Sequence, residues 1–172
     1  MHDDARIMFM DEYHFYHHGT RIRMLFPPED RDPVVYREPN RKGITVLGAV
    51  SPYSGMLLTS LTDRYNALTF LGSSSRLLTG HTRTAYLCWI TLSIINAGVI
   101  NDYASLTGIR LFFLPPYSPD LNSIERVWKF IRKKATHNVY FASLEDMKNA
   151  LLRQFNMHRK KSREIKQLCA IN

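Results

Sequence analysis

The sequence predicts one α/β domain, a mixed β-sheet covered by helices, and three observations carry that expectation. Apolar runs of strand length crowd the first part of the chain, while the last third reads mainly as helix. Strands first, then helices alternating with strands, pack as a sheet with helices laid on it. The 172 residues, 45% apolar and 12% aromatic, suffice for a core of their own, and no Gly/Ser or Pro linker divides them, so residues 1–172 read as a single domain. Finally, a proline-braced loop joins an apolar strand to an amphipathic helix, the usual seam between a sheet and the layer above it.

Taken in order, Arg6 to Asp11 (RIMFMD) predicts a short buried strand with a carboxylate at its C-terminal tip. Arg21 to Phe26 and Gly43 to Val50 predict further strands, and SPYSG (Ser51 to Gly55) a turn that returns the chain as a hairpin through Met56 to Leu61. Asn101 to Leu106 reads as a weak helix, closed by Gly108 before a strand from Ile109 to Leu114. Pro115, Pro116 and Pro119 then fix the exit angle of the loop that delivers Glu125 to the first turn of a helix. That helix offers Ile124, Val127, Trp128 and Ile131 at helical spacing to a core, and leaves Arg126, Lys129, Arg132, Lys133 and Lys134 for solvent or phosphate. Ser143, followed by Leu-Glu-Asp, caps another helix running through Leu151 and Leu152 towards His158. The basic tail has Ile165 and Leu168 as its anchors.

LPPYSPDLNSIERVWKFIRKK, Leu114 to Lys134, resembles the third catalytic block of DDE transposases of the mariner-like superfamily, in the bacterial branch known as insertion-sequence family 630. Members of that branch show LPPYSPDLNPIE; Ser123 stands here in place of the proline, and either residue starts a helix. IMFMDEYHF is similar to the family's first block, an apolar strand closed by Asp-Glu, and GITVLGAVSPYSG is similar to the family's next segment. The likeness covers roughly Ile7 to Phe70 and Ala97 to Phe155. It implies an RNase H-like fold, in which the acids come from separate strands and one helix. It also implies DNA cleavage and strand transfer at transposon ends by two Mg²⁺ or Mn²⁺ ions, with Asp11 and Glu125 as two of three metal ligands. Such chemistry suits clustered carboxylates, one ion activating the attacking oxygen and the other stabilising the leaving one. On the residues alone Glu125 has a second explanation, as the third residue of a helix capped by Asn122, where a carboxylate suits the helix dipole.

The family's second acid is missing. It closes a strand as LDNA..H, about 34 residues before the final acid, but here that place reads AYLCWITLSIINAGVIND. No Asp lies between Asp63 and Asp102, and Asp102 stands too close to Glu125 on the following helix to be a good substitute. The codons permitted for CWITLSIIN, Cys88 to Asn96, allow LDNAFYHK when read two bases later, with the restored Asp falling across the Trp89/Ile90 codons. The chain therefore reads as a transposase translated out of frame from near Phe70 to near Ala97, which corrupts the central strand. A divergent but genuine strand, Ala85 to Ile95, is the other reading. With one ligand of three lost, the expectation is a transposase by descent that does not cleave DNA; the alternative is a non-catalytic basic DNA-binding remnant, and a pseudogene product that folds poorly is a third reading.

Charge and composition bound the partners. The net charge of +8 is concentrated in Lys129 to Lys134 and Arg153 to Lys166, the footprint of a protein that displaces counterions from a phosphate backbone. Together with the family likeness, this makes DNA, both transposon ends and target, the expected partner, with Lys129, Arg132, Lys133 and Lys134 as its contacts; a homodimer is what the family implies. Trp128, in helical register with Ile124 and Ile131, reads as core. His14, His17 and His18 have no complementary cluster that would make them a zinc or iron site. Cys88 and Cys169 give neither a disulfide framework nor a metal-binding spacing. The start lacks a signal peptide and no apolar run is long enough to span a membrane, so a cytoplasmic protein is expected. The family's N-terminal helix-turn-helix region, which reads the transposon ends, has no counterpart in this sequence.

Overall fold

Phe15 and Trp128 meet edge to face at 6.2 Å between ring centroids, joining the first strand to the helix laid over the sheet. The computed structural model describes residues 6–17, 42–62, 85–89, 102, 105–106, 110–115 and 118–170. Within them, β1 (Arg6–Tyr16), β2 (Gly43–Val50), β3 (Leu57–Thr62), β4 (Ala85–Trp89) and β5 (Arg110–Phe113) form one sheet in the order β3-β2-β1-β4-β5. β1, β2 and β3 pair antiparallel; β4 and β5 run parallel to β1. The helices are α1 (Ser123–Ala135), α2 (Leu144–His158) and α3 (Arg163–Cys169), with a single 3-10 turn at Pro119–Leu121 leading into α1. This is the RNase H-like architecture expected, a mixed sheet with helices packed on it.

Ser51 to Gly55 forms the expected hairpin turn: Gly55 N–H donates to the Ser51 carbonyl at 2.8 Å, and Ser51 N–H to the Met56 carbonyl at 3.0 Å. Gly55 adopts φ +68°, which a side chain would resist, and a Cβ there would also strike the backbone at Ser162 and Lys166. The hairpin end is thus the seat on which α3 rests.

Side chains alternate across β1. Tyr13 and Phe15 turn towards α1, Tyr13 stacking on Trp128 at 5.8 Å, while Met8 and Met10 on the opposite face are also buried. α1 buries Ile124, Val127, Trp128 and Ile131 completely, as the spacing predicts, each worth about 1.5–3 kcal/mol of transfer free energy. Ser143 and Asp146 close a reciprocal capping box at the start of α2, whose Met147, Leu151 and Phe155 complete the core. The tail is better anchored than Ile165 and Leu168 suggest. It forms α3, in which Ile165 and Cys169 are buried, and Leu168 is only half-buried.

Two strand expectations need correction. β1 does not stop at Asp11 but continues to Tyr16, because Tyr13 and Phe15 pack under Trp128 and β2 pairs with the strand along this whole second half. The last strand stops at Phe113, before Leu114, while Ile109 lies outside the described residues. Asp102, Ser105 and Leu106 are helical and exposed, in keeping with a helix before β5. The strand expected from Arg21 to Phe26, and most of the Phe70 to Ala97 segment, lie outside the described residues. Among the described residues, no helix is long and apolar enough to cross a membrane.

Candidate active site

Asp11 lies in mid-strand, one residue beyond the last described pair between β1 and β4. Among the described residues, β4 pairs with β1 from Arg6↔Ala85 to Met10↔Trp89. On its other side Asp11 pairs with β2, opposite Gly48. Carboxyl ends of parallel strands are where α/β sheets place their ligands.

Glu125 reaches the same place from above. The 3-10 turn brings the chain to Asn122, which caps α1: its side-chain oxygen accepts from Ile124 N–H at 3.5 Å. Glu125 is the third residue of α1, and its carboxyl comes within hydrogen-bonding reach of Asp11. Both acids are half-buried. Burial pushes the Asp11 carboxyl up to about 7, with the charge of Glu125 and the hydrogen bond between the two side chains adding to the rise, and a backbone bond at Glu12 opposing it. The structure therefore brings together the two acids singled out in the sequence, across 114 positions of chain.

Gly48 was not recognised as a site residue from the sequence. It faces Asp11 across the β1–β2 pair, and a Cβ at this position would run into the Trp128 indole and press on Ile124 Cδ1 at 3.1 Å. Its bareness lets α1 approach the sheet closely enough for Glu125 to meet Asp11. A glycine inside an otherwise apolar strand was the available signal, since such a residue marks a close approach of neighbouring backbone or side chain.

Arg126 differs from its expected role. Its Nη1 donates to the carbonyls of Leu168 (3.4 Å) and Ala170 (2.9 Å), closing the C-terminus of α3 rather than waiting for phosphate. Lys129, Arg132, Lys133 and Lys134 are exposed on α1, and Lys134 Nζ lies 5.6 Å from the centroid of Phe130. His14 Nε2 is 3.1 Å from Glu12, and its Nδ1 lies 2.8 Å from Thr45 Oγ1. His17 is buried and His18 lies outside the described residues. A cavity of about 630 Å³ opens between β1, the hairpin turn and α3, lined by Ile7, Phe9, Tyr53, Arg163 and Lys166 among others, and includes neither acid.

Among the described residues, no three His, Cys, Asp or Glu side chains converge as a metal site. The pair that does converge is a hard-oxygen set suited to one divalent cation with water completing its shell. It does not by itself supply the ligands for two.

The model of the DDE superfamily endonuclease family matches residues 6–148. A protein of Sinorhizobium fredii (strain NBRC 101917 / NGR234), named uncharacterized protein y4pE/y4sA, is 46% identical over 39 residues, which are 23% of this chain and 29% of that protein. Among solved structures, the Mos1 strand transfer complex aligns with a TM-score of 0.72 at 17% identity, over 96% of this chain and 52% of the Mos1 chain. The catalytic core of BIV integrase aligns with a TM-score of 0.55 at 16% identity, over 86% of this chain and 82% of that one. The chain thus spans about half the length of the Mos1 transposase it matches. Sheet order, helix placement and the family match agree, and the chain belongs to the DDE superfamily endonucleases.

Proposed function

We propose that this chain, residues 1–172, is the catalytic domain of a mariner-like transposase of the insertion-sequence 630 branch, and that it binds DNA without cutting it. One observation carries the reading. Asp11 and Glu125 come together one residue beyond Met10, which pairs with Trp89 of β4, and the altered reading frame puts the lost Asp across the Trp89/Ile90 codons.

In the intact site Asp11 and Glu125 would hold divalent metal, Mg²⁺ or Mn²⁺. The bound ions supply charge stabilisation for an oxygen attacking phosphorus and for the oxygen that leaves. The residues themselves act by position: β1 and α1 hold two carboxylates close together in a half-buried setting that favours a divalent cation. With the third carboxylate replaced, that preference weakens and cleavage is lost. Mos1 structures solved with Mn and with Mg support the choice of cation. Mos1 structures solved as a strand transfer complex and with a left transposon end support DNA as the partner. DNA contact falls to Lys129, Arg132, Lys133 and Lys134, all exposed on the helix that carries Glu125. A homodimer and a cytoplasmic location belong to the same reading.

The coding DNA from Phe70 to Ala97 tests the origin of the defect. Translation of all three frames should reveal LDNA-x-x-H two bases out of frame; its absence would make β4 a truly divergent strand and end the frame-shift account.

A further inference from the structure

We infer that Asn122 is a positioning residue that ties the two acid-bearing elements together, beyond its task as a helix cap. This rests on the reading of Asp11 and Glu125 as the site, but on none of the metal chemistry. An N-cap needs only an oxygen acceptor, which Ser, Thr or Asp would provide equally well. Asn122 uses its acceptor in that way, receiving Ile124 N–H, and it also uses its amide donor: Nδ2 donates to the Met10 carbonyl at 3.2 Å, across 112 positions of chain. The side chain is fully buried, so neither bond has water as a ready substitute.

The position of these bonds matters more than their number. Met10 is the last β1 residue paired with β4, and its carbonyl belongs to the peptide unit that carries the Asp11 nitrogen. At the other end, the Asn122 backbone carbonyl accepts Glu125 N–H at 3.0 Å. A continuous path therefore runs from the backbone of Glu125 through Asn122 to the peptide preceding Asp11. Helix and strand are fixed to each other within one residue of each carboxylate. The hydrophobic contacts of Trp128 and Ile131 hold α1 on the sheet, but such contacts tolerate small sliding; a buried amide bond between named groups sets the register.

The test is a double-mutant cycle between Asp11→Asn and Glu125→Gln, measured by denaturant unfolding without metal, in the parent chain and again in Asn122→Ser. Serine retains the cap and removes the reach to Met10. The expected result is a clear interaction between the two acids in the parent that falls at least two-fold in Asn122→Ser, with the variant still folding cooperatively. A role confined to capping would lower stability in Asn122→Ser and leave the interaction unchanged, and that outcome overturns the inference. An absence of interaction in the parent also overturns it. Should Asn122→Ser not fold, Asn122→Thr carries the same comparison; failure of both to fold would show the bond to be needed for the fold itself, against a role in positioning. A parallel Mn²⁺ titration separates the two readings: no Mn²⁺ binding, with the cycle as expected, removes the metal function and leaves the positioning role standing.

Discussion

Asp11 is the residue at which the chemistry of this domain is easiest to measure. Its ordinary pKa of 3.8 rises to about 7 in the folded chain, chiefly through burial and then through Glu125. Between these values the folded state holds a proton that the unfolded chain has released. This group's contribution to stability is therefore present at low pH and lost as the pH rises from 3.8 through about 7. The loss amounts to about 2–4 kcal/mol. Asp11→Asn has no proton to lose. Its Tm relative to the parent should therefore climb as the pH is raised from about 4 to about 7; a difference independent of pH would show that Asp11 is not held as described. A second residue, Cys169, lies buried beneath α1 with its Sγ 3.9 Å from the Ser123 carbonyl, and burial pushes its thiol up to about 11, Arg126 opposing weakly. It should resist a thiol reagent in the native protein and react once the chain is unfolded.

At the scale of elements, α1 is the decisive piece, and it was also the most legible. Its cap, the burial of Ile124, Val127, Trp128 and Ile131, and the exposure of Lys129 and Arg132 to Lys134 all agree with helical spacing, which a long amphipathic segment displays openly. The capping box at Ser143 and the turn at Ser51 to Gly55 were equally legible, because each is written in adjacent residues. What escaped was non-local. The length of β1 depends on Trp128, more than a hundred positions away, and the use of Arg126 on the carbonyls of α3 has no local signature. Half of Asn122's bonding and the whole significance of Gly48 are of the same kind. Gly48→Ala tests this layer. Its methyl group must displace Trp128, at about 1–3 kcal/mol, and lift Glu125 from Asp11. Urea unfolding should show the loss, and the interaction between the two acids should weaken with it; an Ala variant as stable as the parent would mean that α1 does not sit this close.

The whole molecule combines a sheet that gathers acids with a helical layer that presents cations. If DNA lies along α1, simultaneous replacement of Lys129, Arg132 and Lys133 by Ala should weaken binding to duplexes of unrelated sequence alike, and make the slope of log affinity against log salt less steep by about 2–3. Binding that kept its salt slope would move the interface off this helix. The same scale decides whether the domain is an enzyme, since Asp11 and Glu125 are brought together and, on the proposed reading, the third acid has been lost from the neighbouring strand. The most direct measurement is Mg²⁺-dependent nicking of supercoiled DNA by three proteins side by side: the chain itself, a version whose coding DNA is returned to frame between Phe70 and Ala97, and that version carrying Asp11→Ala. The account predicts no metal-dependent nicking by the chain, nicking by the frame-restored protein, and its loss on Asp11→Ala. Robust nicking by the unrestored chain, abolished by Asp11→Ala, would contradict it.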